Sequence, residues 1–319
     1  MAITLAQAKV GMKNKVAAEL VEIFRNETVL FDLIPFDNAV CPTGKGSTLA
    51  YGYVCETLPA VAQSRSINEE YAGDQAVKEE VTVNLKILGN KYSIDRVIAE
   101  TGGDAFMDEV AFQSKAIAKG VVNRFLYLFI NGNATSDAEQ FDGLAKLLGT
   151  NNNVSQALST LTGAMTEADA ELICEALDTA ESKLIRKPDA IIADDATINR
   201  IKAAARKAGY YKAGRDDFGR KVEYYDDIPL IKAGKYYAKS NSTVTETANV
   251  AANTLFMVCL GMDGVHGVSP TSNDAFISTR LPDYKTAGAV KDGDVEMVAC
   301  IALKNKNAAA KVTFTQAQS

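Results

Sequence analysis

Residues 101–144 read TGGDAFMDEVAFQSKAIAKGVVNRFLYLFINGNATSDAEQFDGL, and this stretch decides the fold. Phe106, Val110, Ile117, Val121, Phe125 and Phe129 recur at spacings of four or seven, which places them on one buried stripe of a helix. Gly102 and Gly103 precede the stripe, Asp104 is a capping residue, and Asn131-Gly132 closes it with a C-cap that tolerates a left-handed backbone. About 27 helical residues at 1.5 Å each span roughly 40 Å, longer than the usual globular-protein helix. A rod of that length, in a chain with one histidine and no catalytic motif, predicts a girder in a larger structure.

The composition is that of a globular chain. Its 319 residues hold one large or two ordinary domains, with 47% hydrophobic and 23% charged residues. No apolar run reaches the roughly 18 residues of a membrane span, and the N-terminus lacks the pattern of a signal peptide. Production in a cytoplasm is the resulting expectation. The five cysteines, Cys41, Cys55, Cys174, Cys259 and Cys300, are scattered, with no Cys-x-x-Cys pair. They read as small buried thiols in a reducing compartment rather than a disulfide frame or zinc site.

The formal net charge of −6 argues against the whole surface serving as a nucleic-acid platform. Two local runs depart from it. Residues 1–26 carry Lys9, Lys13, Lys15 and Arg25 against Glu19 and Glu22, and residues 200–215 carry Arg200, Lys202, Arg206, Lys207, Lys212 and Arg215 with no acid. One reading is weak, salt-sensitive contact with phosphates. The other, which we prefer, is a solvated helix face and loop. Neither run contains a base-reading motif.

Along the first half, residues 5–26 form an amphipathic helix (Val16, Leu20, Ile23, Phe24), followed by an extended segment over 29–40. Leu49, Tyr51, Tyr53 and Cys55 alternate at period two, as do Val81, Val83, Leu85 and Ile87, predicting two strands that pair as a ribbon. About 25 residues separate them, too many for an ordinary hairpin. That connection carries no chemistry, so it is expected to fold against something outside its own domain.

The second half reads as a compact α/β unit. Thr166, Glu167 and Asp169 open a helix that runs through Leu184 until Pro188 stops it, and 190–193 is a short buried strand. Asp194-Asp195 starts a basic helix over 197–208. Residues 210–226 read as a loop, whereas 228–231, 254–260, 296–303 and 311–314 read as strands, with turns at 261–264 and 305–307.

Catalytic chemistry is nearly absent. The lone histidine, His266, lies in Asp263-Gly-Val-His-Gly with no serine elbow or thiol partner near it in sequence, and reads as a structural turn residue. Transition-metal catalysis has no ligand set. Thr43-Gly-Lys-Gly-Ser47 lacks phosphate-loop spacing and reads as a turn. Asp194-Asp195 and Asp226-Asp227 read as caps or turns, because adjacent residues point to different sides.

Taken in order, these parts resemble the major capsid proteins of tailed bacteriophages, whose Hong Kong 97-type fold is shared with encapsulin shells. The residues that carry the resemblance are Leu58-Pro59 and Arg65-Ser-Ile-Asn68 in the loop, and Phe129-Ile-Asn-Gly132 with Phe141-Asp-Gly-Leu144 after the helix. Pro188-Asp-Ala-Ile-Ile192, Ile228-Pro-Leu-Ile231 and Asp263-Gly-Val-His-Gly267 continue it. The resemblance implies an α+β fold with an N-terminal arm (1–45), an extended loop (46–90), a peripheral domain with a long spine helix (91–150 and 276–319) and an axial domain (151–275). The terminal strands would rejoin the peripheral sheet.

What the resemblance implies about function is a non-enzymatic head-shell subunit that forms pentamers and hexamers enclosing double-stranded DNA. Leu58, Pro59, Arg65, Asn68, Glu69, Glu70 and Tyr71 of the extended loop would contact a neighbouring subunit. Lys9, Lys13, Lys15, Arg206 and Lys207 would face DNA weakly and non-specifically. Scaffolding would come from a separate protein, with a portal and optionally a decoration protein as further partners, no membrane, and no cofactor. The location would be the virion, after assembly in the host bacterial cytoplasm. An encapsulin-like compartment is the alternative. A cytoplasmic α/β enzyme using Tyr210, Tyr211, Tyr224 and Tyr225 is the alternative of a different class.

Overall fold

In the computed structural model the described residues are 29–38, 49–97, 109–161, 163, 165–209, 211–215, 221–240, 243–270 and 277–317. One helical turn, α1 (Leu30–Leu33), leads into a two-residue strand, β1 (Phe36–Asp37), so the segment expected to be extended over 29–40 begins helical. Next come β2 (Ala50–Leu58), β3 (Val77–Asn84), β4 (Lys86–Asp95), the long helix α2 (Glu109–Asn131) and the short helix α3 (Leu144–Leu148). β5 (Asn153–Leu158), α4 (Glu167–Ser182), β6 (Ala190–Ala193) and α5 (Asp195–Ala208) follow. Strands β7 (Tyr211–Arg215), β8 (Lys221–Tyr225), β9 (Ile228–Lys232), β10 (Lys235–Ser240), β11 (Thr243–Ala248) and β12 (Thr254–Val258) come next. The last are β13 (Val265–Val268), β14 (Ile277–Arg280), β15 (Val290–Leu303) and β16 (Ala309–Gln316).

The 23 residues of α2 span about 35 Å. Val121, Phe125 and Phe129 of the predicted stripe are buried, as are Leu126, Leu128 and Ile130, so the C-terminal half of the helix is enclosed on several sides. Phe125 explains the enclosure: its ring meets those of Phe31, Phe36, Phe129 and Phe141 at centroid distances of 5.7, 5.6, 6.4 and 5.8 Å. These packings fasten the arm segment and the post-helix loop to one rod. The predicted cap at Asp104, the stripe residue Phe106, the helix over 5–26 and the turn at 43–47 lie outside the described residues.

Against α2 lies a sheet of order β1-β13-β15-β14, with β4 also paired to β15, from Val290 opposite Asp95 to Ala299 opposite Lys86. Leu88, Ile94, Val295 and Met297 are buried in it, and Tyr92 and Ser114 share a 2.8 Å hydroxyl hydrogen bond between sheet and helix. The alternation read across residues 81–87 hides a break at Leu85: Val81 and Val83 belong to β3, whereas Ile87 belongs to β4 and pairs with Val298.

The second sheet has seven strands in the order β5-β16-β12-β6-β9-β8-β7. Its central strands β6 and β12 are buried at every residue because each face meets a different core. Ala190, Ile192, Phe256 and Val258 pack with the helix α2 core, while Ile191, Ala193, Leu255 and Met257 pack beneath α4 and α5. Two-sided burial is why these strands read as unbroken apolar runs. Both helices start on the caps expected: Thr166 Oγ1 accepts from Asp169 N at 3.0 Å, and Asp194 Oδ1 accepts from Thr197 N at 3.1 Å.

Three sequence readings are corrected here. The C-terminal strand β16 does not rejoin the sheet of β4 and β15; it lies between β5 and β12, parallel to β5. Conversely, β13, within the stretch expected to be axial, pairs with β15 and β1. Part of the expected loop over 210–226 is a hairpin, with Tyr211 opposite Tyr225.

Candidate assembly surface

The ribbon of β2 and β3 has a seated base and a bare outer part. Tyr51 lies opposite Val83 and Tyr53 opposite Val81. Tyr51 and Leu85 are buried in the α2 core, with Tyr53 and Val83 packed against it. Tyr51 Oη donates to Asp37 Oδ2 at 2.9 Å, and Tyr53 Oη donates to the Leu303 carbonyl at 3.0 Å, so the base is tied to β1 and to the end of β15. Burial raises both phenol pKa values, that of Tyr53 to about 12, so each keeps the proton it donates.

Beyond Cys55 the surroundings change. Every residue from 56 to 80 is exposed, apolar ones included: Leu58, Val61, Ile67, Tyr71 and Val77, with Ile67 at 89%. Among the described residues the hydrogen bonds of the outer ribbon are its own. Asp74 Oδ2 accepts from Val61 N at 2.7 Å across the loop, and Asn68 takes a positive φ of 69° in the tip turn. The Arg65 guanidinium lies 5.2 Å from the Tyr71 ring centroid, and its Nη1 donates to the Ser66 and Glu69 carbonyls at 3.2 Å. A two-stranded ribbon is marginal alone in water, and ordering this loop costs conformational entropy that burial of its side chains, all exposed from 56 to 80, does not offset.

The geometry thus gathers Arg65, Asn68, Glu69 and Tyr71 at one tip, with Glu70 exposed beside them. Leu58 stands opposite Val77 at the neck, followed by Pro59. Sequence reasoning passed over Val54, Val61, Ile67 and Val77. Their signal was available: Val61 and Ile67 are apolar side chains in a polar stretch, Val77 extends the alternation of Val81 and Val83, and Val54 lies on the face of β2 opposite Tyr53.

The basic candidates separate differently. Lys9, Lys13 and Lys15 lie outside the described residues. Lys207 Nζ donates to the Met165 carbonyl at 2.7 Å, and Arg206 stands exposed in the last turn of α5. Arg200 donates to the Thr160 and Leu161 carbonyls at 2.6 Å each, and Lys202 pairs with Glu223 at 2.6 Å. Much of this basic run therefore holds the chain's own segment before α4 and its hairpin.

Of the four tyrosines of the enzyme alternative, the side chains of Tyr224 and Tyr225 are among those described. Tyr210 is outside the described residues. Tyr225 is buried, its hydroxyl donating to Asp178 Oδ1 at 2.9 Å, with burial pushing its pKa upward, while Tyr224 is half-buried. Among the described residues no three His, Cys, Asp or Glu side chains form a metal-holding group, and no helix is long and apolar enough to cross a membrane.

No protein-family model and no curated protein matches the chain in sequence. Solved structures do match it over its whole length. The holo encapsulin complex of Synechococcus elongatus is 14% identical, with a TM-score of 0.63 and all of both chains covered. A structure from Mycobacterium phage Bobi is 11% identical, with a TM-score of 0.62 over 99% of this chain and 100% of that one. The capsid of Myoviridae phage XM1 is 10% identical, with a TM-score of 0.62 over 98% and 99%. Identities this low carry the fold alone, and the chain accordingly has the Hong Kong 97-type capsid fold.

Proposed function

We propose that the protein is the major subunit of a phage head: copies assemble through pentamers and hexamers into an icosahedral shell around double-stranded DNA. The observation that carries this reading is the outer ribbon, 25 consecutive exposed residues bearing apolar side chains on an ordered two-stranded frame. A neighbouring copy that covers Leu58, Pro59, Arg65, Asn68, Glu69, Glu70 and Tyr71 would supply the burial the monomer lacks. In this reading 1–45 is the arm, 46–90 the extended loop, and the parts around α2 and around α4–α5 the peripheral and axial domains. Scaffold and portal are separate proteins, a decoration protein is optional, and DNA is touched weakly through basic residues such as Arg206. Assembly takes place in the bacterial host's cytoplasm and the product is the virion. The role is structural, without catalysis.

A compartment shell is the second reading, favoured by the full-length likeness to the encapsulin. Electron microscopy of the purified chain, alone and with its neighbouring gene products, tests both. Closed shells or five- and six-fold rings are expected; nucleic acid inside supports the head and protein cargo the compartment. A 34 kDa monomer under both conditions would reject assembly.

A further inference from the structure

His266, the chain's one histidine, is buried completely, and among the described residues neither of its ring nitrogens has a partner at hydrogen-bond geometry. Buried polar groups are nearly always paired, so such an imidazole is an exception that asks for a reason. Its position is informative. It sits in β13, opposite Ala302 of β15, one residue before the Gly267 that pairs with Phe36 of β1. The Tyr51 ring of the ribbon base meets it edge-on at 5.9 Å and 82°. Two distant pieces of chain, the arm strand and the ribbon base, therefore meet β13 at this ring.

The charged and titratable groups around it come from each of these pieces. Asp37 of β1 accepts from Tyr51 of β2, with Tyr53 beside it at 6.1 Å between rings, and Lys304, just past β15, lies 5.6 Å from the Tyr51 ring centroid. The backbone of Gly264 and of Gly261, in the turn before β13, also favours the charged ring, although neither completes a well-formed hydrogen bond to it. Burial, and secondly the Lys304 charge, hold the His266 pKa below its ordinary 6.5, against the opposing pull of Asp37 and of the Gly264 and Gly261 backbone.

We propose that His266 is a proton-operated latch: the neutral ring closes the joint between arm strand, ribbon base and β13, and protonation releases the ribbon base. A charged ring cannot stay dry beside Lys304. The cheapest relief is to part Tyr51 from it, which admits water and frees Asp37 to face the imidazolium. The sign follows from linkage. The open state takes up a proton at the ordinary 6.5 and the closed state only at lower pH, so closure is complete above 6.5 and weakens as pH falls. The latch belongs to the single chain and does not depend on the shell reading; in a shell it would loosen ribbons in acid.

Hydrogen exchange of the full-length protein, compared at each pH with His266→Gln and His266→Phe, tests this, because the ratio between proteins cancels the intrinsic pH dependence. The wild-type to variant ratio in β2 is expected to be flat above pH 7 and to rise by about tenfold per pH unit at first below 6.5, with β6 and β12 unchanged. Parallel profiles, or an equal rise in β6 and β12, would overturn the latch. Should both variants misfold, exchange of the histidine C2 proton, read by mass spectrometry on wild type, still decides. A midpoint below 6.5 that coincides with β2 opening supports the latch; an ordinary midpoint with β2 unmoved overturns it.

Discussion

The backbone N–H of Gly143 donates to the carbonyl of Gly132 at 2.8 Å, directly after Gly132 N–H has donated to Leu128 O at 2.9 Å. Asn-Gly at the end of α2 and Asp-Gly before α3 thus cross backbone to backbone. Gly132 is required there by close approach and not by a left-handed φ, contrary to the C-cap read from sequence. A Cβ on Gly143 would lie 2.5 Å from Leu128 O and 2.6 Å from Gly132 N. Gly143→Ala is expected to cost about 2–3 kcal/mol, read as a lowered urea midpoint with unchanged slope.

Val121 sits in the middle of α2 with its side chain buried. Val121→Pro removes a helical N–H and drives the ring into the Ile117 carbonyl, a loss of about 3 kcal/mol or more. Soluble, helical protein should disappear. Normal yield and circular dichroism would contradict the role of α2 as the spine of the fold.

Deleting residues 64–73 removes only exposed side chains and the tip turn. The shortened chain should melt within about 1 kcal/mol of wild type, as surface changes generally do, yet fail to form stable particles in light scattering. Normal particle yield would detach the ribbon from assembly.

Asp169 is buried at the start of α4, where it accepts Ser159 N at 2.7 Å and Ser159 Oγ at 2.6 Å. Burial raises its pKa, but the hydrogen bonds from Ser159 and Thr166 outweigh it and hold the value below 3.8. Its stabilisation is complete above that pH and is lost as pH falls through the lower folded value. Asp169→Ala leaves two donors without their acceptor and should cost about 2–3 kcal/mol at neutral pH, a difference in denaturant midpoint that narrows in strong acid.

With a folded pKa of about 12 against an ordinary 10.0, Tyr53 favours the neutral form when the ribbon base is seated. The open state loses its proton first, so the seat weakens as pH rises from 10 toward 12. Phenolate absorbance should show a late-ionising tyrosine that Tyr53→Phe removes, together with alkaline loosening of β2 in hydrogen exchange.

Much of this was legible in the residues because its causes are local. The stripe Val121, Phe125, Phe129 has a helical period, Thr166 and Asp194 bond to N–H groups two or three positions away, and Tyr51 and Tyr53 alternate as ribbon residues must. The strand β6 was legible as an apolar run too short for a helix. Other features needed the tertiary structure, because strand partners far apart in sequence leave no local mark. Nothing in Lys311 to Phe314 says that β16 lies parallel to β5, or that β15 rather than β16 meets β4. Arg200 and Lys207 look like a solvated basic face until the carbonyls of Thr160, Leu161 and Met165 come within reach. Likewise His266, read as a turn residue, is a buried strand residue, because the partners that enclose it, Tyr51 and Asp37, lie more than two hundred residues away. Period and capping are properties of neighbours along the chain and were determined by the sequence itself. Register, burial and the company a charge keeps were decided only when distant segments packed.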